Sequence, residues 1–122
     1  MASASKGTAG LIGVGIMGTA MAKNLIEAGF AVVGHDVAPA AMATLKKLGG
    51  TAAASNAAVL AEAEIVIVSM PSSKALVSVV DDLVRAPRAG RIVVETSTLP
   101  IEDKAAAFER LKAVGITLLD CP

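Results

Sequence analysis

The chain has 122 residues, enough for one domain and too few for two comfortable ones. Eleven basic and eleven acidic residues cancel, and neither Trp nor Tyr occurs, which argues against partnership with nucleic acid or an anionic membrane. One cysteine, Cys121, permits no intrachain disulfide, no Cys/His cluster has metal-ligand spacing, and no apolar run reaches the length of a membrane span, so the expectation is a cytoplasmic protein without a metal site.

Residues 1–8 carry one basic residue and no apolar core, and they read as a disordered lead-in to a domain over residues 9–122. Ala9 to Val14 predicts the first strand, central and buried. Gly13, Gly15 and Gly18 follow in the order strand, turn, helix, which is what a dinucleotide-binding loop needs. The first glycine permits the tight turn, the second lets backbone approach a pyrophosphate, and the third lets the helix pack closely on the strand. No basic side chain falls between Leu11 and Ala22; the helix N-terminus, with unpaired N–H groups and the positive end of its dipole, suits an anion without one.

Met17 to Ala28 predicts the first helix, with Ile16, Met17, Ala20, Met21, Leu25 and Ile26 spaced to lie on a sheet and Gly29 as its stop. Phe30 to His35 is the second strand. Asp36 comes 18 residues after Gly18, where a ribose-binding carboxylate stands in such units. That acid accepts from ribose hydroxyls and repels an added phosphate, and no Arg stands nearby, so NAD is favoured over NADP.

A second helix is expected from Pro39 to about Leu48, then at most a short strand over Thr51 to Ala54. Ser55 or Asn56 caps a short helix over Ala57 to Ala61. Ile65 to Ser69 is a β-branched strand ended by Met70-Pro71, and Ser72 or Ser73 caps a helix over Lys74 to Val84. Arg91 to Glu95, a helix from about Pro100 to Val114, and Ile116 to Leu119 complete the alternation.

Strands and helices alternating at this pitch imply an α/β, Rossmann-type doubly wound parallel sheet in a single domain. Ligands in such sheets bind beyond the carboxyl ends of the strands where the strand order reverses, which selects Gly13 to Gly18, Asp36, Met70-Pro71 and Ser97-Thr98. His35 reads as a rim side chain with no visible partner, and Arg85, Arg88 and Arg91 as a solvated loop. Glu27, Glu62, Glu64, Asp81, Asp82, Glu102 and Asp103 read as solubilising charges. Lys23 and Lys104 show no reason to act as proton donors, and no residue is assigned a catalytic role.

The string GVGIMGTAMAKNL, followed by EAGFAVVGHD, resembles the N-terminal domain of the β-hydroxyacid dehydrogenases, the group that includes 3-hydroxyisobutyrate and 6-phosphogluconate dehydrogenases. VIVSMPS is similar to that family's M-L-P segment, VVETSTLP to its D-x-S-T-x-x-P segment with Glu95 for the usual Asp, and LLDCP to the start of its D-A-P-V-S-G-G segment. The resemblance runs from Ala9 to Pro122. It implies that Gly13, Gly15, Ile16, Met17 and Gly18 wrap the pyrophosphate, that Asp36 binds the adenosine ribose, that Met70 and Pro71 line the middle of the cofactor, and that Thr98, with Ser97, approaches the nicotinamide. It also implies hydride transfer between a β-hydroxy acid and NAD or NADP. The family's substrate-binding Ser-Gly-Gly, its helical second domain and its general acid/base lysine match nothing here, so the small hydroxy acid would be bound only with that domain, and homo-oligomerisation would belong to the full-length protein. An alternative reading is a non-catalytic module that senses the nucleotide.

Overall fold

The computed structural model describes residues 6–122. Six parallel strands form one sheet: β1 (Thr8–Ile12), β2 (Ala31–His35), β3 (Thr51–Ala52), β4 (Ile65–Val68), β5 (Ile92–Glu95) and β6 (Thr117–Asp120). Their spatial order is β3-β2-β1-β4-β5-β6, so the direction of winding reverses between β1 and β4. This is the doubly wound Rossmann arrangement the alternation predicts. The crevice at the reversal opens where two neighbouring connections leave in opposite directions.

The helices are α1 (Ile16–Glu27), α2 (Pro39–Lys47), α3 (Asn56–Glu62), α4 (Ser73–Arg85) and α5 (Ile101–Lys112). Successive strand residues face opposite sides, and two cores result. Leu11, Val32 and Ile67 face α1 and α2, where Ala22 and Leu45 meet them. Ile12, Val33, Val66, Val68 and Val93 face the other side, where Val59 and Leu60 of α3, four residues of α4, and Ala107 and Leu111 of α5 pack. Helix α3 therefore carries the chain across from the β3 edge to β4 on the second face. Ser55 and Ser72 cap α3 and α4 through their hydroxyls, accepting from Ala58 N and Ala75 N at 3.1 Å.

The first strand begins before the expected boundary at Ala9. Thr8 opens β1 opposite Ala31, and Lys6 N donates to Gly29 O at 3.0 Å, because the parallel ladder continues past the apolar run. Residues 1–5 of the expected lead-in lie outside the described residues. The face expected of α1 is met in part: Met21, Leu25 and Ile26 pack against the core, whereas Ile16, Met17 and Ala20 are exposed and the buried positions are Gly18 and Ala22. The helix comes closest to the sheet at these two small residues.

Candidate functional site

Gly13 leaves β1 with φ of 90°, a conformation that disfavours any side chain. A Cβ there would also overlap the Ser69 carbonyl oxygen and stand 2.7 Å from Met70 Cε. The loops after β1 and β4 thus touch backbone to backbone at the reversal. A Cβ on Gly18 would meet the Gly13 carbonyl oxygen, so the first turn of α1 is drawn onto the turn it follows. At Gly15, the N-cap of α1, a Cβ would meet nothing within 4 Å, and no side chain caps this helix. Its leading N–H groups are therefore open to an anion approaching from the cleft.

That cleft has a volume of about 580 Å³. Gly13, Gly15, Ile16, Met17, Gly18, Asp36, Met70 and Pro71 all line it. Thr98 does not; it is exposed in the loop after β5. No Lys or Arg is among the lining residues. A ligand pyrophosphate would rest on backbone donors and the helix dipole. The glycine cradle, the free helix end and the cleft's size fit a dinucleotide.

Asp36 is fixed before any ligand arrives. Its Oδ2 accepts from Val14 N at 2.7 Å and its Oδ1 from Ala38 N at 2.8 Å, so one carboxylate ties the glycine turn to the start of α2. A carboxylate offers about four lone-pair sites, and two stay available to hydroxyl donors. The turn-forming and ligand-binding readings of Asp36 are therefore compatible. His35, expected to lack a partner, has one: its Nδ1–H donates to Ala53 O at 2.9 Å, which ties the end of β2 to the segment after β3. It lines the cleft beside Asp36.

On the opposite side of the reversal, Met70 N donates to Ser97 Oγ at 2.6 Å, and Ser97 Oγ donates to Glu95 Oε2 at 3.1 Å. Ser97 N also donates to Glu95 Oε1 at 2.6 Å. Glu95 is wholly buried, and Lys104 Nζ lies 3.6 Å from it and 2.6 Å from Asp120 Oδ1. The lysine read as an ordinary helix residue is thus part of the support beneath the Met70 loop. Arg91 departs from the solvated-loop expectation as well. Its Nε donates to Leu60 O at 2.9 Å and its Nη2 to Ala61 O at 3.1 Å, which occupies two terminal carbonyls of α3.

Sequence reasoning missed part of the lining: Asn56 at the start of α3, and Ala75, Ser78, Val79 and Asp82 along α4. The last four have the i, i+3, i+4, i+7 spacing of one helical stripe, beside the wholly apolar one. That stripe was visible in the sequence; what it faces depends on how α3 and α4 cross the sheet. Among the described residues no group of His, Cys, Asp and Glu could hold a metal ion, and no helix is long and apolar enough to cross a membrane.

Comparison with known proteins agrees with this geometry. The chain is 30% identical over 122 residues to the mitochondrial 3-hydroxyisobutyrate dehydrogenase of Rattus norvegicus, covering 98% of this chain and 36% of the relative. The structure of the Mycobacterium tuberculosis 3-hydroxyisobutyrate dehydrogenase with L-serine superposes with a TM-score of 0.90 at 29% identity, over 95% of this chain and 40% of that one. The Streptomyces aurantiacus imine reductase superposes at 0.83 with 30% identity, over 91% of this chain and 39% of that one. The chain thus spans well under half the length of these relatives. The family model of the NAD binding domain of 6-phosphogluconate dehydrogenase matches residues 8–122, the stretch that builds the sheet and the glycine cleft, and the chain belongs to that family.

Proposed function

We propose that this chain is the cofactor-binding part of an oxidoreductase that transfers a hydride between NAD and a small β-hydroxy acid, as in the 3-hydroxyisobutyrate dehydrogenases. In this reading Gly13, Gly15, Ile16, Met17 and Gly18 enclose the pyrophosphate, and Asp36 receives the adenosine ribose hydroxyls. Met70 and Pro71 line the middle of the dinucleotide, and Thr98, exposed on the loop after β5 and outside the cleft's lining, flanks a nicotinamide that extends past Pro71. The domain comprises residues 9–122 with the short addition at Lys6 to Thr8, and the nicotinamide supplies the hydride acceptor or donor when bound. This chain's residues hold and orient the cofactor. The hydroxy-acid pocket, the proton-transferring lysine and the assembly into homo-oligomers are assigned to a further domain. Cytoplasmic residence rests on the free, exposed Cys121, which suits a reducing compartment.

The observation that carries the choice of NAD is Asp36, held by two backbone amides in a cleft lined by no basic side chain. An added 2′-phosphate would meet that carboxylate without a compensating cation. Titration calorimetry of the 122-residue chain should show NAD binding about tenfold more tightly than NADP, a difference of about 1.4 kcal/mol. Asp36→Asn, which keeps a carbonyl acceptor for one of the two amides, should narrow that ratio. Equal or tighter binding of NADP would remove the assignment of Asp36. Binding of neither would remove the dinucleotide reading altogether.

A further inference from the structure

Asp82, on α4, lines the cleft away from the glycine turn's own helix and is bonded to Asn56 of α3. Helix α3 packs against β1 and β2 on one side and α4 on the other, so its start, Asn56, lies on the β2 side of the reversal, with Asp36. Asn56 Nδ2 donates to Asp82 Oδ2 at 3.0 Å, which draws the third turn of α4 to that same end of the cleft. Asp82 Oδ1 accepts from Arg85 Nη2 at 2.9 Å. The carboxylate is thus gripped on both oxygens and still lines the cleft. Asn56 cannot be turned over without bringing its own carbonyl oxygen against that carboxylate, and Asn56 Oδ1 has no partner. The amide orientation is dictated by Asp82.

Ser78 lies one turn before Asp82 on α4, so the two side chains are neighbours, and both line the cleft. A hydroxyl can donate; a carboxylate can only accept. Val37, beyond the end of β2, and Ala75 and Val79, on α4, give the same space apolar walls. We infer that this is a base-reading site: Ser78 and Asp82 recognise the edge of adenine, the hydroxyl donating to ring nitrogen N1 and the carboxylate accepting from the 6-amino group. The inference rests on the dinucleotide reading, because only a ligand anchored at Gly13 to Gly18 and Asp36 delivers its base to this end. Hypoxanthine presents the reverse pattern, a carbonyl acceptor at position 6 and an N–H donor at N1. Facing Asp82, its carbonyl would meet a second acceptor with no proton between them.

The test compares NAD with nicotinamide hypoxanthine dinucleotide, which differs only at this edge, by calorimetric titration of the 122-residue chain. NAD should bind at least about tenfold more tightly, a ratio in keeping with a site built to pair a specific polar group. Asp82→Asn, which supplies an amide donor to the carbonyl, should bring the two ligands within about twofold. Ser78→Ala, at an exposed position, should weaken NAD several-fold and needs no tolerance from the fold. If both dinucleotides bind the unaltered chain equally, or if both variants keep its preference, the inference is overturned while the dinucleotide reading stands. If neither ligand binds, both fall together.

Discussion

A carboxylate with no exposed surface, Glu95, ends β5 with the backbone and hydroxyl of Ser97 on its two oxygens and the Lys104 ammonium nearby. Burying such a charge is costly unless donors replace its water, and the cation is the largest of the replacements. Lys104→Met should therefore destabilise the chain by about 3 kcal/mol, since it strands the glutamate. Lys104→Met combined with Glu95→Gln should recover most of that loss, because an amide needs no counter-charge and can still bond to Ser97. Urea unfolding of the two variants measures both quantities. A single variant that costs nothing would show that the two Ser97 donors suffice. The signal for this burial was partly in the sequence: Lys104 shares a helical stripe with Ala107 and Leu111, both buried. Its partners Glu95 and Asp120 come from two strands, β5 and β6, and only the parallel register of β5 with β6 sets them side by side.

At the level of elements, the strand-helix order, the caps and the position of the crevice were legible because glycine, proline and serine punctuate nearly every boundary. Gly29, Gly49 and Gly115 all take positive φ just beyond helix ends, and Pro39 begins α2. The glycine turn and Asp36 were legible for the same local reason: spacing along the chain defines them. Arg91 was not, since its two acceptors lie 30 and 31 residues away on a helix that crosses under the sheet. Its planar fork spans consecutive carbonyls at the end of α3, and this fixes the end of the element that brings Asn56 to the cleft. Arg91→Ala should cost about 1–2 kcal/mol through two lost bonds to half-buried carbonyls. Arg91→Lys should restore little, because a single ammonium cannot reproduce the fork. Amide hydrogen exchange should rise first in α3, and uniform exchange across all helices would mean that α3 has no local dependence on this side chain.

Across the whole molecule the two faces of the sheet are covered unequally. Helices α3, α4 and α5 fill one face from β1 to β6, whereas α1 and α2 cover the other mainly over β1, β2 and β3. Alternation places Ile65, Ile67, Ile92, Val94 and Leu119 on that second face, in adjacent strands β4, β5 and β6. Ile65 is 47% exposed and Leu119 45%, and Ile92 and Val94 are only half-buried. A contiguous apolar patch built from neighbouring strands favours association in water far more than scattered apolar side chains do. The 122-residue chain should therefore self-associate in a concentration-dependent way, seen by sedimentation velocity as a rising average mass. Replacing Ile65 and Leu119 together by Lys puts two charges on the patch and should return the chain to a monomer. Stability should change by less than about 1 kcal/mol, since both side chains already meet solvent. The glycine cleft lies beyond the strand ends, away from this face, so dinucleotide affinity should be the same in monomer and assembly. An unaltered chain that sediments as a monomer at every concentration would show that the patch is too flat or too broken by backbone to bind a second copy.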